Sequence, residues 1–84
     1  MDKHEIIEKL KSIIKPYVKD DTAFENLNEN TDFISDLRIN SANLVDIILD
    51  IEEVFDIVID NQSMEKMLDV KTTLSIIETK LTEK

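Results

Sequence analysis

Eighty-four residues suffice for one small domain and leave no room for two cores. Nineteen acids against ten Lys plus Arg give a formal net charge of −9, which repels nucleic acid and anionic membranes and attracts a partner with a basic patch. A hydrophobic share of 42% is too high for a disordered acidic tail, and the lack of cysteine and glycine excludes disulfide frames, thiolate chemistry and Gly-rich phosphate loops.

The charged start, Met1 to Glu5, gives no secretory signal, and no run approaches the ~18 apolar residues of a membrane span. A cytoplasmic protein is expected, with no membrane insertion. Ile6, Ile7, Leu10, Ile13, Ile14, Tyr17 and Val18 form one apolar stripe, which predicts a first helix over about 3–18. Asp2 and Glu5 have capping-box spacing at its start, and Pro16 predicts a kink or an early end. Residues 19–40 read as a long ordered loop, with Phe24, Leu27, Phe33, Ile34 and Leu37 packing it down over the bundle. Thr22 and Glu25 repeat the capping-box spacing and predict a short helical turn over 23–28.

A second helix is predicted from Ser41 to Phe55 or Asp56, with Asn40 as its N-cap. Val45, Ile48, Ile51, Val54 and Phe55 are its expected core stripe, and Leu44, Ile47 and Leu49 fall partly outside. Ile57-Val58-Ile59 is read as an extended connector burying Ile57 or Ile59. A short helix over 61–68 should turn Met64, Met67 and Leu68 inward. Asp69 should cap a last helix over 70–81, with Val70, Leu74, Ile77 and Leu81 at helical spacing. The whole is a single all-α domain, 1–84: a four-helix bundle of three longer helices and one short one, with a long loop between the first two.

The functional signal lies in Asp36-Leu37-Arg38-Ile39-Asn40-Ser41-Ala42-Asn43-Leu44-Val45-Asp46. A serine just inside a helix start lies near unpaired N–H groups and the positive end of the helix dipole, where a phosphodiester would be favoured. Alone, such a serine is ordinary capping. The longer stretch, however, resembles the acyl carrier protein family. Asn40-Ser41-Ala42 stands where that family has Asp-Ser-Leu, and Glu52-Glu53-Val54-Phe55 looks like its Glu-Glu-x-Phe helix ending. Phe33 to Leu37 upstream, and Ile57-Val58-Ile59, Met64 to Met67 and Asp69 to Thr72 downstream, extend the likeness over most of the chain.

The resemblance implies a carrier, not an enzyme. Ser41 would be modified with 4′-phosphopantetheine from coenzyme A by a phosphopantetheinyl transferase. Acyl intermediates would then be presented to ketosynthases and other synthase enzymes of fatty-acid or polyketide type. Between Ser41 and Asp69 eight acids face only Lys66, whereas a purely solubilising face interleaves both signs. Asp46, Asp50, Glu52, Glu53 and Asp56 are the expected acidic contacts to basic docking patches, with Ala42, Leu44 and Leu49 as apolar contacts beside the serine. Phe33, Ile48, Ile51, Phe55, Ile59, Met67 and Leu68 are expected to line the space that shelters an acyl chain.

Asn40 removes a negative charge beside the serine and Ala42 an apolar contact; both bear on which transferase or partner is recognised. Two alternatives accompany the carrier reading: a peptidyl or D-alanyl carrier using the same arm, and an unmodified acidic interaction module. His4 is the sole histidine, so a Ser-His-Asp site or a histidine metal site has little to build on, and no metal ligand set is assigned. A monomer is expected.

Overall fold

The computed structural model describes residues 2–83. Five α-helices follow in order: α1 (Lys3–Ile14), α2 (Asp21–Glu25), α3 (Leu44–Phe55), α4 (Asn61–Lys66) and α5 (Val70–Glu83). Two 3-10 turns, Lys15–Tyr17 and Ser41–Asn43, extend the end of α1 and precede α3. No helix among the described residues is long and apolar enough to cross a membrane.

Every helix start but that of α3 follows one local rule. An Asp side chain accepts a backbone N–H three residues on: Asp2 from Glu5, Asp20 from Ala23, Asp60 from Ser63 and Asp69 from Thr72. Each bond satisfies one of the donors that a helix start leaves unpaired, and the carboxylate also meets the positive end of the dipole. The Asp60 carboxyl is held below its ordinary range, first by its bonds to Ser63 and then by Lys80 and Lys66. The cap of α2 is therefore Asp20, not Thr22, and the helix begins earlier than the 23–28 turn read from sequence. Pro16 ends α1 early, tightening the chain into the 3-10 turn instead of continuing to Val18.

Three long helices share one core. Ile6, Leu10, Ile13 and Ile14 of α1 meet Ile47, Ile48, Ile51 and Phe55 of α3 and Val70, Leu74 and Ile77 of α5. Between helices the chain contributes Phe33, Leu37, Ile39, Ile57, Ile59 and Met67 to the same cluster. The connector 57–59 alternates strictly: Ile57 and Ile59 are buried and Val58 is exposed. Both isoleucines go in because an extended chain sends alternate side chains to the same face.

The segment between α2 and α3 has few regular bonds of its own and is fixed by neighbours. Phe33 N–H donates to Leu68 O at 2.9 Å, Val70 N–H to Thr31 O at 3.0 Å and Lys71 N–H to Glu29 O at 2.9 Å. Asp32 accepts the N–H groups of Ile34 and Ser35, while Asp36 accepts that of Asp32. Lys3 pairs with Glu29, which lowers the Glu29 carboxyl and raises the Lys3 ammonium. Ile34, expected to pack down, stays exposed beside this turn.

Four side-chain placements differ from the sequence reading of α3 and α4. Ile47 is buried, while Val45 and Val54 are exposed. The buried set Ile47, Ile48, Ile51, Phe55 recurs at one, three and four residues and fixes the inward direction of α3. At about 100° per residue, Val45 and Val54 fall at or beyond the edges of that face. Leu68 is 44% exposed and is no part of the core. The reason is that α4 ends at Lys66, so Leu68 lies past its helical face and lends its carbonyl, not its side chain, to the interior.

Candidate functional site

The approach to Ser41 is a short alternating segment. Leu37 and Ile39 are buried, and Ile39 N–H donates to Phe33 O at 3.0 Å. Arg38 between them lies in the left-handed region, at φ 58°, which turns the chain while leaving its side chain outside. That conformation costs a non-glycine residue roughly 1–2 kcal/mol, so the two buried neighbours hold it in place. Asn40 then becomes extended, its Oδ1 accepts the Ala42 N–H at 2.9 Å, and its carbonyl accepts the Asn43 N–H at 2.8 Å.

Ser41 is thus the first residue of the 3-10 turn Ser41–Asn43, and α3 proper begins at Leu44, later than expected. Helix starts often tighten this way, so the serine still heads the helix, capped by Asn40 as anticipated. Its side chain is exposed and reachable. Loss of the charge that an Asp would carry here leaves the cap intact.

The outward side of α3 continues from the serine. Ala42, Val45, Asp46, Leu49, Glu53 and Asp56 are all exposed, at three- and four-residue intervals. Val45 at 51% and Leu49 at 54% exposure form an apolar strip framed by Asp46 and Glu53. No Lys or Arg occurs on α3. The negative charge reaches neighbouring groups: the Tyr17 phenol is raised first by burial and then by Asp50 and Asp46. Asp56 ends the helix in the left-handed region, at φ 54°, a place commonly filled by glycine, which this chain lacks.

The residues expected to meet partners therefore divide. Ala42, Asp46, Leu49, Glu53 and Asp56 are exposed on one side. Leu44 packs against the core and Asp50 is half-buried. Glu52 points inward to the fold: its Oε2 accepts the Ile59 N–H at 2.8 Å, clamping the connector to α3. A carboxylate already bound to backbone is poorly available to a partner's lysine. Val45, assigned to the core from its spacing, joins the exposed strip instead. Reading the helix phase from Ile47, Ile48, Ile51 and Phe55 would have found it.

Of the residues expected to line an acyl site, Phe33, Ile48, Ile51, Phe55, Ile59 and Met67 are brought together in the core, and Leu68 is not.

Comparison with known proteins bears directly on this arrangement. Over 96% of its length, and 96% of theirs, the chain is 31% identical to the acyl carrier protein of Coprothermobacter proteolyticus. It is 35% identical to that of Thermotoga maritima, covering 94% of this chain and 95% of the relative. The chain belongs to the acyl carrier protein family. The acyl carrier protein of Lactobacillus acidophilus is 33% identical over 93% of this chain and 95% of its own. No family model matches. A crystal structure of acyl carrier protein from Thermotoga maritima shares the fold, with a TM-score of 0.77 at 22% identity over 99% of this chain and 94% of that one. As a member of this family the protein is a carrier of acyl groups, not a catalyst.

Proposed function

We propose that residues 1–84 form one carrier domain that holds acyl intermediates as thioesters on a 4′-phosphopantetheine arm attached to Ser41. The observation that carries this reading is the exposed Ser41 at the head of α3, adjoining an exposed apolar strip on a helix whose charged side chains are all acidic. The residues present fit the group. The hydroxyl is reachable, the preceding Asn40 caps the turn without covering it, and an anion on that oxygen lies at the positive end of α3.

When attached, the arm supplies the thiol that binds the acyl group and lets it reach a partner's site. The chain's own residues do the rest. Leu37 and Ile39, anchored in the core, fix the backbone from which Ser41 projects. Asp46, Glu53 and Asp56 draw a basic docking patch toward the outer face of α3, speeding encounter. Ala42, Val45 and Leu49 then give that encounter an apolar contact. Phe33, Ile48, Ile51, Phe55, Ile59 and Met67 form the apolar interior that would part to take up the acyl chain. The partners are a phosphopantetheinyl transferase, then ketosynthases and related enzymes of a fatty-acid or specialised polyketide-type synthase, acting in the cytoplasm on a monomeric carrier.

Intact mass after incubation with coenzyme A and a broad-specificity phosphopantetheinyl transferase tests the reading. One added phosphopantetheine on the parent, and none on Ser41→Ala, is the expected result. No addition with several transferases would turn the assignment toward an unmodified interaction module, with Asn40 and Ala42 as the first positions to revert.

A further inference from the structure

Thr31 and Thr73 are buried polar residues within an otherwise apolar interior. Thr31 is accounted for, since its Oγ1 accepts the Asn28 N–H at 2.9 Å. Thr73 is 0% exposed, and its Oγ1 makes no hydrogen bond among the described residues. Two other helical hydroxyls donate to the carbonyl four residues back: Ser12 to Glu8 O at 3.2 Å, and Thr82 to Glu78 O at 2.9 Å. The corresponding carbonyl for Thr73 is that of Asp69, which accepts the Thr73 backbone N–H at 3.1 Å while the hydroxyl stays apart.

An unpaired buried hydroxyl is costly, and native interiors seldom keep one. Valine has nearly the same shape without that cost. Thr73 also occupies a particular place. It lies on the inward face of α5 with Val70, Leu74 and Ile77, one turn in from Val70. Those three share the core cluster with Ile51, Phe55 and Met67.

We propose that the Thr73 hydroxyl is a polar contact for the cargo inside the core, and that the preferred cargo is an acyl chain bearing an oxygen, such as a 3-hydroxyacyl or 3-oxoacyl group. The inference rests on the reading of Ser41 as the attachment site. A threonine hydroxyl both donates and accepts, so it matches an alcohol or a ketone on the chain. Burial of hydrocarbon is non-directional and distinguishes such chains poorly, whereas a site holding an unpaired polar group favours the ligand that satisfies it. A saturated chain would leave Thr73 as it is in the closed bundle.

The test loads Ser41 with octanoyl or 3-hydroxyoctanoyl phosphopantetheine from the matching coenzyme A thioesters, confirms loading by intact mass, and compares thermal unfolding. The hydroxylated cargo should raise the folding constant of the parent about five-fold over the saturated one. Thr73→Val should abolish that difference while leaving the octanoyl form at least as stable as the parent's. Thr73→Ser, which keeps the hydroxyl and loses only a methyl group, should retain the difference. Full loading with no difference in the parent, or an equal difference in Thr73→Val, overturns the assignment of Thr73 alone. Failure to load Ser41 overturns the carrier reading, and this inference with it.

Discussion

α1 and α3 are both twelve residues long and pack against the same core, yet their outer faces are built differently. α1 mixes Glu5 and Glu8 with Lys3, Lys9 and Lys11, and buries or half-buries every isoleucine and leucine it carries. α3 carries four acids and no base, and leaves Val45, Leu49 and Val54 in the open. Mixed charge over a fully used apolar stripe is what solubility and packing require. Uniform charge around exposed apolar residues adds nothing to packing and suits contact with another protein. The difference leaves α1 as scaffold alone, and it is on the outer side of α3 that the proposed docking surface lies.

Separate substitutions on the two sides of α3 sharpen that contrast. Ile51→Ala, at a fully buried position, should cost about 2–5 kcal/mol in chemical denaturation. Leu49→Ala should stay within about 0.5 kcal/mol of the parent. A large loss at Leu49 would return it to the core and remove it from the proposed docking surface.

The next effect separates adjacent acids. Glu52→Ala removes the acceptor of the Ile59 N–H and should cost about 1–3 kcal/mol, while Glu53→Ala should leave the denaturation midpoint unchanged. Equal effects would mean that the clamp on the connector contributes nothing.

Docking should show the opposite ranking. Asp46→Lys should slow association with a basic partner enzyme at least about ten-fold at low ionic strength, and the deficit should shrink in high salt. Stopped-flow association rates across a salt series would read both. A reversal at Lys11 of α1 should have little effect by the same measurement; a comparable slowing there would erase the distinction between the helices.

The smallest expected change concerns the approach to the serine. Arg38→Gly relieves a left-handed conformation and should stabilise the fold by about 1 kcal/mol. Destabilisation would show that the Arg38 side chain, whose Nε lies 4.0 Å from Asp20 Oδ2, outweighs the backbone strain.

Much of this is legible in the amino-acid sequence by itself. The three long helices, the early end forced by Pro16, the Asn40 cap and the alternating connector follow from local chemistry: apolar periodicity, a missing N–H, and a side-chain oxygen at the right spacing. Ser41 stands out through its resemblance to a family motif, and the residue is exposed. The errors cluster where two local patterns were equally good. Val45 and Val54 fit a helical stripe as well as Ile47 does, because α3 is apolar around most of its circumference. Leu68 fits the inward face of a helix only if that helix runs on past Lys66.

Sequence alone thus determined the identity of the elements, because caps, breakers and periodicity act within a few residues. Only the tertiary structure decided which face of α3 is buried, since that depends on where α1 and α5 lie. It also turned Glu52 from a surface acid into a clamp on Ile59, across seven residues of chain. And it left the Thr73 hydroxyl unpaired in the core, because burial and partnership are properties of everything packed around an atom, not of the residue that carries it.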